Sequence, residues 1–186
     1  MAIPDELPAA LRALERAGID YLLTGSLAST AWGRPRATYD VDFVVDLRAG
    51  DVEKLLRAFP PPTWYLEREV ILEALRTGGE FNAIHGTAGT KLDFWLKARR
   101  PMDALRFVRR RRESLAGVDC WVLSPEDTIL AKLEWLQAAP SERQQADVVG
   151  ILAVQGDKLD FGYLRQWAHS LGVHDLLEEA LSGRWG

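Results

Sequence analysis

The pattern of apolar and polar residues predicts alternating helices and strands over the first two thirds of the chain. Apolar residues at helical spacing indicate a helix from Pro4 to Gly18 and another directly after the Gly25-Ser26 turn. A short apolar run predicts a strand at 21–24, before that turn, and alternation predicts a second strand at 40–47. Further helices are predicted at 52–59, 67–77 and 101–112, and further strands at 64–66, 81–85, 91–96 and 118–123. Of these strands, 81–85 and 91–96 form a predicted β-hairpin across a glycine-containing loop.

The last third of the chain shows helical spacing alone. The segment Ser124-Pro125-Glu126-Asp127 is a typical helix start, with serine as N-cap and proline at the first helical position. Helices are predicted from there to 137, and then at 140–154, 160–171 and 175–181. We therefore predict an α/β (α+β) protein with a catalytic-type domain at 1–123 and a helical C-terminal subdomain at 124–186 packed on it.

Three aspartates occupy predicted strands in a way that needs an explanation. Asp40 and Asp42 alternate along one strand, so their side chains lie on the same face. Asp93 lies in the middle of the second hairpin strand. An unpaired buried carboxylate costs several kcal/mol unless a cation or strong donors compensate it. Three such carboxylates predict a site for a hard cation such as Mg²⁺.

The Gly25-Ser26 turn has the complementary chemistry. A helix begins there, and the first backbone N–H groups of a helix attract anions. Gly25 permits close approach of a ligand, and the Ser26 hydroxyl can add a hydrogen bond. We therefore expect a triphosphate to bind at this turn, beside the metal site.

Composition narrows the class of protein without naming its substrate. The chain of 186 residues is 47% apolar and 27% charged, values typical of an ordinary globular protein. A net charge of −4 excludes a bulk polyanion binder, although Arg109–Arg112 is a local basic run that is most often a solvated helical face. The single cysteine, Cys120, excludes an intrachain disulfide and is expected to be buried. We find no signal-like or membrane-spanning apolar run and expect a cytoplasmic location with no membrane partner.

Together, Gly25-Ser26, Asp40-x-Asp42 and the later Asp93 resemble the nucleotidyltransferase fold of the DNA polymerase beta superfamily. The chain is also similar to the minimal and AbiEii toxin-like nucleotidyltransferases, in which an Arg-x-Thr-x-Asp-x-Asp arrangement is familiar. In this chain the four residues of that arrangement are Arg36, Thr38, Asp40 and Asp42. The helical third resembles the same group through Lys132 and through Arg143 followed by Asp147.

This resemblance implies a mixed sheet with flanking helices and a helical subdomain facing the cleft. It implies transfer of a nucleoside monophosphate from a nucleoside triphosphate, ATP among them, to a hydroxyl. The three aspartates, Asp40, Asp42 and Asp93, would be catalytic and would hold Mg²⁺, with Mn²⁺ as an alternative. The nucleotide-binding residues would be Gly25, Ser26, Arg36, Thr38 and Lys132.

Three functions stay open at this point. The first is an enzyme that modifies RNA or protein, as the toxin-like component of a toxin–antitoxin pair with a cognate antitoxin as partner. The second is a transferase for a small molecule of the antibiotic type, and the third is an inactive nucleotide-binding module. The basic run at 109–112 weakly favours a polyanionic acceptor. Lys132 fits a surface lysine as well as a phosphate ligand, and Trp135, Tyr163 and Trp167 are expected in the core.

Overall fold

The computed structural model describes residues 3–185, in which helices flank a mixed seven-stranded sheet. The strands are β1 Asp20–Leu23, β2 Val41–Asp46, β3 Trp64–Tyr65, β4 Glu80–His85, β5 Lys91–Leu96, β6 Arg111–Leu115 and β7 Val118–Val122. The helices are α1 Leu7–Ala17, α2 Gly25–Trp32, α3 Val52–Ala58, α4 Arg68–Thr77, α5 Pro101–Arg109, α6 Pro125–Ala138, α7 Glu142–Gln155, α8 Phe161–Leu171 and α9 His174–Leu181. Two 3₁₀ turns occupy Ala49–Asp51 and Gly156–Lys158.

The strand order is β3-β4-β5-β2-β1-β7-β6, which places β2 in the middle of the sheet. Strand β2 pairs antiparallel with β1 and parallel with β5, and β1 pairs parallel with β7. The predicted hairpin is confirmed as β4 and β5, which pair antiparallel. The predicted α/β class with a mixed sheet and flanking helices is therefore confirmed.

The alternation in β2 separates the core from the polar face. Val41, Phe43 and Val45 are buried, whereas the residues between them are half-buried. Phe43 stacks on Phe94 of β5 with ring centroids 5.4 Å apart, and Phe59 after α3 packs against Phe94 at 5.6 Å. Burial of these rings fixes the register of β2 and β5, because a one-residue slip would turn the phenylalanines to the other face.

The predicted helix at 101–112 is too long. Helix α5 ends at Arg109, Arg110 is extended, and Arg111 begins strand β6. The turn between β6 and β7 is formed by Ala116 and Gly117, both with positive φ (51° and 74°). Two positive φ angles are what a tight hairpin requires, so this Ala-Gly pair was the overlooked signal for a strand before it.

The predicted helix start at Ser124 is confirmed, since Ser124 Oγ accepts a hydrogen bond from the backbone N–H of Asp127 at 3.1 Å. Cys120 is buried as predicted. The expectation for Trp135 is wrong, because this residue is 53% exposed, and Tyr163 and Trp167 are only partly buried. The division at residue 123 stays a prediction, as does location in the cell. Within residues 3–185, no helix is both long and apolar enough to cross a membrane.

Candidate functional site

Two of the predicted catalytic aspartates are direct neighbours in the sheet. Asp42 of β2 lies opposite Asp93 of β5 in the parallel register, and both side chains are half-buried. Asp40 precedes β2 by one residue and is exposed, because the strand begins at Val41 rather than at residue 40. The sheet therefore pairs two carboxylates and places the third at the start of the same strand.

This proximity has an electrostatic consequence. Burial raises the pKa of Asp42, and the negative charges of Asp93 and Asp40 raise it further, while Trp95 and Lys132 act in the opposite direction. Asp93 itself forms an ion pair with Lys91, at 2.9 Å between Nζ and Oδ1. The ionised form of Asp42 is thus under-compensated by the protein's own cations.

The donor chemistry fits a hard divalent cation. Among residues 3–185, no three acidic, histidine or cysteine side chains are already gathered as a metal-binding group. Nevertheless, Asp42 and Asp93 offer carboxylate oxygens from adjacent strands, and Asp40 lies near enough to influence Asp42. Carboxylate oxygens are the ligands that Mg²⁺ and Mn²⁺ accept, and a cation would offset both the burial and the repulsion that raise the pKa of Asp42.

The Gly25-Ser26 turn lies directly against Asp42. Gly25 opens helix α2 with a φ of +60°, and the backbone N–H of Thr24 donates to the Asp42 carbonyl at 2.9 Å. A Cβ atom at Gly25 would overlap the Asp42 carboxylate, with Cγ only 2.8 Å away. No side chain caps the first turn of α2, so its leading N–H groups are available to an anion. Glycine is therefore required at position 25 for two reasons: its positive φ angle and its lack of a side chain.

A cluster of charged residues ties this turn to the C-terminal helices. Arg36 Nη2 donates to Ser26 Oγ at 2.6 Å, and Arg36 also forms a bidentate pair with Asp147 of α7 at 2.9 and 3.1 Å. Lys132 of α6 donates to the same Asp147 carboxylate at 2.9 Å. We call Ser26, Arg36, Lys132 and Asp147 the phosphate-side cluster. Four of the predicted site residues, Gly25, Ser26, Arg36 and Lys132, are thus brought to one place.

Two members of the cluster, Lys132 and Asp147, are buried. Lys132 is 6% exposed, so it is not a surface lysine; burial lowers its pKa, and Asp147 opposes that shift. Burial alone would raise the pKa of Asp147, but hydrogen bonds from Arg36 and Lys132 lower it overall. Thr38 is buried, and its hydroxyl accepts a hydrogen bond from the backbone N–H of Asp40 at 3.3 Å. In this structure Thr38 thus orders the segment that carries Asp40.

Asp147 was not among the predicted site residues. Its signal in the sequence was its position on a helix next to buried residues, one before Val148 and four before Ile151. An acidic residue at such a position is expected to be buried, and a buried carboxylate needs partners. The partners lie about a hundred residues away or on another helix, so helical spacing alone could not identify them.

The arginine run lies outside this site and is engaged elsewhere. Arg109 pairs with Glu126 at 3.2 Å and stacks on Tyr163, at 3.8 Å from the ring centroid. Arg110 pairs with Asp20 and Arg112 with Glu15, at 3.0 and 2.7 Å. Three of the four guanidinium groups therefore join α5 and β6 to neighbouring elements and do not form one exposed basic face.

A cavity of about 640 Å³ opens between the sheet and helix α6. Gly25, Ser26, Asp42 and Lys132 line it, so the turn, a carboxylate and a cation share one space. Its volume lies within the range of ligand pockets, roughly 300–1,000 Å³. These four predicted site residues thus face a pocket of the size that a nucleotide needs, whereas the other four, Arg36, Thr38, Asp40 and Asp93, do not line it.

We expect Asp147→Asn to destabilise the protein by roughly 3 kcal/mol, because it leaves buried Lys132 without its carboxylate. Arg36 also loses its orienting partner, so the KM for a nucleoside triphosphate should rise about tenfold, or about 1.4 kcal/mol. Thermal unfolding and pyrophosphate-release kinetics measure the two effects, with the exposed Glu142→Gln on the same helix as control. The stability difference should shrink as pH falls through the lowered pKa of Asp147, since a carboxyl group with a lowered pKa stabilises only while ionised. An unchanged melting temperature at neutral pH would contradict this role.

No family model matches the chain, and no curated protein matches it at the level of sequence. Solved structures do match in fold. The crystal structure of ANT(2'')-Ia in complex with adenylyl-2''-tobramycin has a TM-score of 0.60 and 15% identity, over 87% of this chain and 94% of that one. A solution structure of the same antibiotic-resistance factor has a TM-score of 0.55 at 15% identity, with 94% of each chain covered. An antigenic nucleotidyltransferase-like protein from Paracoccidioides brasiliensis has a TM-score of 0.53 at 17% identity, over 97% of this chain and 94% of that one. The protein therefore has the nucleotidyltransferase fold.

Proposed function

We propose that the protein is a metal-dependent nucleotidyltransferase that transfers a nucleoside monophosphate from a nucleoside triphosphate to a hydroxyl group. The observation that carries this proposal is the contact between Gly25 and Asp42, where no side chain fits between the two. This contact puts an anion-binding helix start and a carboxylate pair within reach of one phosphate chain. Neither feature alone would require that chemistry.

The chain's own residues bind and orient the triphosphate. Gly25 and Ser26 line the cavity, so a phosphate bound there would meet the first N–H groups of α2. Arg36 and Lys132 supply positive charge on either side of Asp147, which holds both cations in place. In this arrangement the β- and γ-phosphates lie at the turn, and the α-phosphate lies toward Asp42.

The carboxylates act at the α-phosphate. Asp42 and Asp93, with Asp40 at the strand start, would hold Mg²⁺ or Mn²⁺. When bound, such a cation polarises phosphoryl oxygens and stabilises charge on the attacking and leaving oxygens. Asp93, which pairs with Lys91, accepts the proton of the acceptor hydroxyl. A bond then forms from the acceptor oxygen to the α-phosphorus, the bond to the bridging oxygen breaks, and pyrophosphate leaves.

We propose a hydroxyl of RNA or protein as acceptor, as in a toxin-like component with a cognate antitoxin partner. Resemblance to the AbiEii-like group supports this choice. The arginine run no longer supports it, because Arg109, Arg110 and Arg112 are held in intramolecular ion pairs.

A small-molecule acceptor is the second proposal, and one observation favours it. The neighbour ANT(2'')-Ia shares the fold and was solved with an adenylylated antibiotic, adenylyl-2''-tobramycin. An inactive binding module is the least supported function, because all three aspartates are present and Asp42 lies opposite Asp93, in a setting where burial and repulsion disfavour its charge unless a cation binds.

One labelling experiment tests the proposal. The protein is incubated with Mg²⁺, each α-³²P-labelled nucleoside triphosphate in turn, and total RNA, cell protein or a pool of hydroxylated small molecules. We expect label in one acceptor class, with release of pyrophosphate. Asp93→Asn should abolish both, whereas Asp119→Asn, an exposed aspartate of β7, should leave them intact. Absence of both labelling and triphosphate binding would overturn the proposal in favour of an inactive module.

A further inference from the structure

The cavity extends well beyond the phosphate and carboxylate groups. From Asp42 it follows β2 to Val44, and from Lys132 it follows α6 to Trp135 and Ala138. Two strand residues span about 6.6 Å and six helical residues about 9 Å, so a second compartment adjoins the first. Helix α6 lines both compartments, since Lys132 lies near Asp42 of β2 and Trp135 contacts Trp95 of β5.

Two tryptophans form the wall of this second compartment. Trp95 lies opposite Val44 in the sheet, and its ring centroid is 5.8 Å from that of Trp135 with the planes at 70°. More than half of Trp135 is exposed, although it is one of the largest apolar side chains. Indole surface left open at the mouth of a cavity is available to stack on a planar ligand. We call Trp95 and Trp135 the tryptophan pair.

The charged groups beside the tryptophan pair neutralise one another. Arg100 and Arg106 both bind Asp103, with distances from 2.7 to 3.2 Å. The same two arginines bind Glu134, at 3.2 and 2.6 Å. Two cations and two carboxylates thus close a ring of ion pairs. This end of the cavity therefore carries no spare charge for a phosphate or a charged acceptor.

We propose that the tryptophan pair is the subsite for the nucleobase of the triphosphate, an inference that rests on the proposed function. The occupant must be planar, uncharged and joined to a phosphate chain that reaches Gly25 and Lys132 through the same cavity. A nucleobase meets all three requirements. Because every base has a π-face, stacking on the tryptophan pair contributes affinity without selecting one base. The four nucleoside triphosphates should therefore depend on the tryptophan pair alike.

Calorimetric titration in Mg²⁺ tests this subsite with two probes, ATP and inorganic tripolyphosphate. We expect Trp135→Ala to weaken ATP binding about tenfold and to leave tripolyphosphate binding unchanged. Trp135→Phe, which keeps an aromatic face, should retain most of the affinity. Tyr65→Ala is the matched control, because Tyr65 is 61% exposed but lies on β3 and does not line the cavity. The other three nucleoside triphosphates should show the same loss with Trp135→Ala.

Two results would overturn the subsite: equal ATP affinity in Trp135→Ala and wild type, or an equal loss for tripolyphosphate. Failure of the subsite and failure of the function are distinguishable. If Trp135→Ala transfers nucleotides with an unchanged KM for the triphosphate, the subsite is wrong and the function stands. If wild type shows the expected binding pattern but never releases pyrophosphate, the function is wrong and the subsite stands.

Discussion

Asp42→Asn is expected to reduce Mg²⁺-dependent pyrophosphate release by at least about 10³-fold, which corresponds to about 4 kcal/mol of lost charge stabilisation at the reacting phosphate. Asparagine has the same shape as aspartate, so the Gly25 contact and the strand pairing are retained. What is lost is the charge that would hold the cation opposite Asp93. Steady-state assays of pyrophosphate release with saturating triphosphate measure the effect.

The same substitution is expected to stabilise the protein at neutral pH and so to raise its melting temperature. The fold raises the pKa of Asp42, so its ionised form is disfavoured in the native state. A group with a raised pKa stabilises below its unfolded pKa and loses that contribution as pH rises through its folded pKa. The gain from asparagine should therefore be full above the folded pKa of Asp42 and should disappear as pH falls below its unfolded pKa.

Asp46→Asn is the matched control for Asp42→Asn. Asp46 lies on the same strand and face, but it pairs with Lys97 at 2.6 Å and does not line the cavity. We expect unchanged activity and a neutral or slightly lowered melting temperature. Addition of Mg²⁺ should raise the melting temperature of wild type and of Asp46→Asn but not that of Asp42→Asn. Full turnover in Asp42→Asn would exclude Asp42 as a metal ligand.

Gly25→Ala should cause the second-largest loss of activity, after loss of the Asp42 carboxylate. The added methyl group overlaps the Asp42 carboxylate, and the φ of +60° strains any residue with a Cβ atom. Either the helix start or the carboxylate must move, and a shift of about 1 Å in such a site costs on the order of 100-fold in rate. Triphosphate binding and pyrophosphate release should both fall.

Gly18→Ala separates the contact from the backbone strain. Gly18 ends α1 with a φ of +63°, close to that of Gly25, but nothing lies within 4 Å of its added Cβ atom. This variant should lose about 1 kcal/mol of stability from strain and keep full activity. If Gly18→Ala and Gly25→Ala reduce activity equally, general destabilisation is the cause and the specific contact is not.

The metal side of the site could be predicted from the sequence because its determinants are local. Side-chain alternation places Asp42 on the polar face of β2 and Asp93 on that of β5, and apolar neighbours fix both orientations. Glycine followed by serine between a strand and a helix is likewise a short-range pattern. The register that sets Asp42 opposite Asp93 was not local, but the buried phenylalanine stack leaves few alternatives.

The partners of the charged residues could not be predicted in the same way. Arg109–Arg112 has the composition of a basic helical face. However, the hairpin turn at Ala116-Gly117 pairs the residues from Arg111 onward with β7, so they form a strand. Lys132 has the spacing of a flanking residue, and only the approach of α7 buries it against Asp147. Such pairings depend on how distant helices pack, which helical periodicity does not specify.

The Asp147 carboxylate forms ion pairs with two cations, Arg36 and Lys132, and this limits which substitutions the protein can accept. Substitutions at residues 36, 132 and 147 cannot act independently, because Arg36 and Lys132 share Asp147 as their partner. Loss of Asp147 leaves buried Lys132 without a carboxylate, whereas loss of Arg36 or Lys132 leaves Asp147 with a single cation. The loop before β2 and the helices α6 and α7 are therefore linked through these three residues. Substitutions that the protein tolerates at positions 36, 132 and 147 should occur in combination.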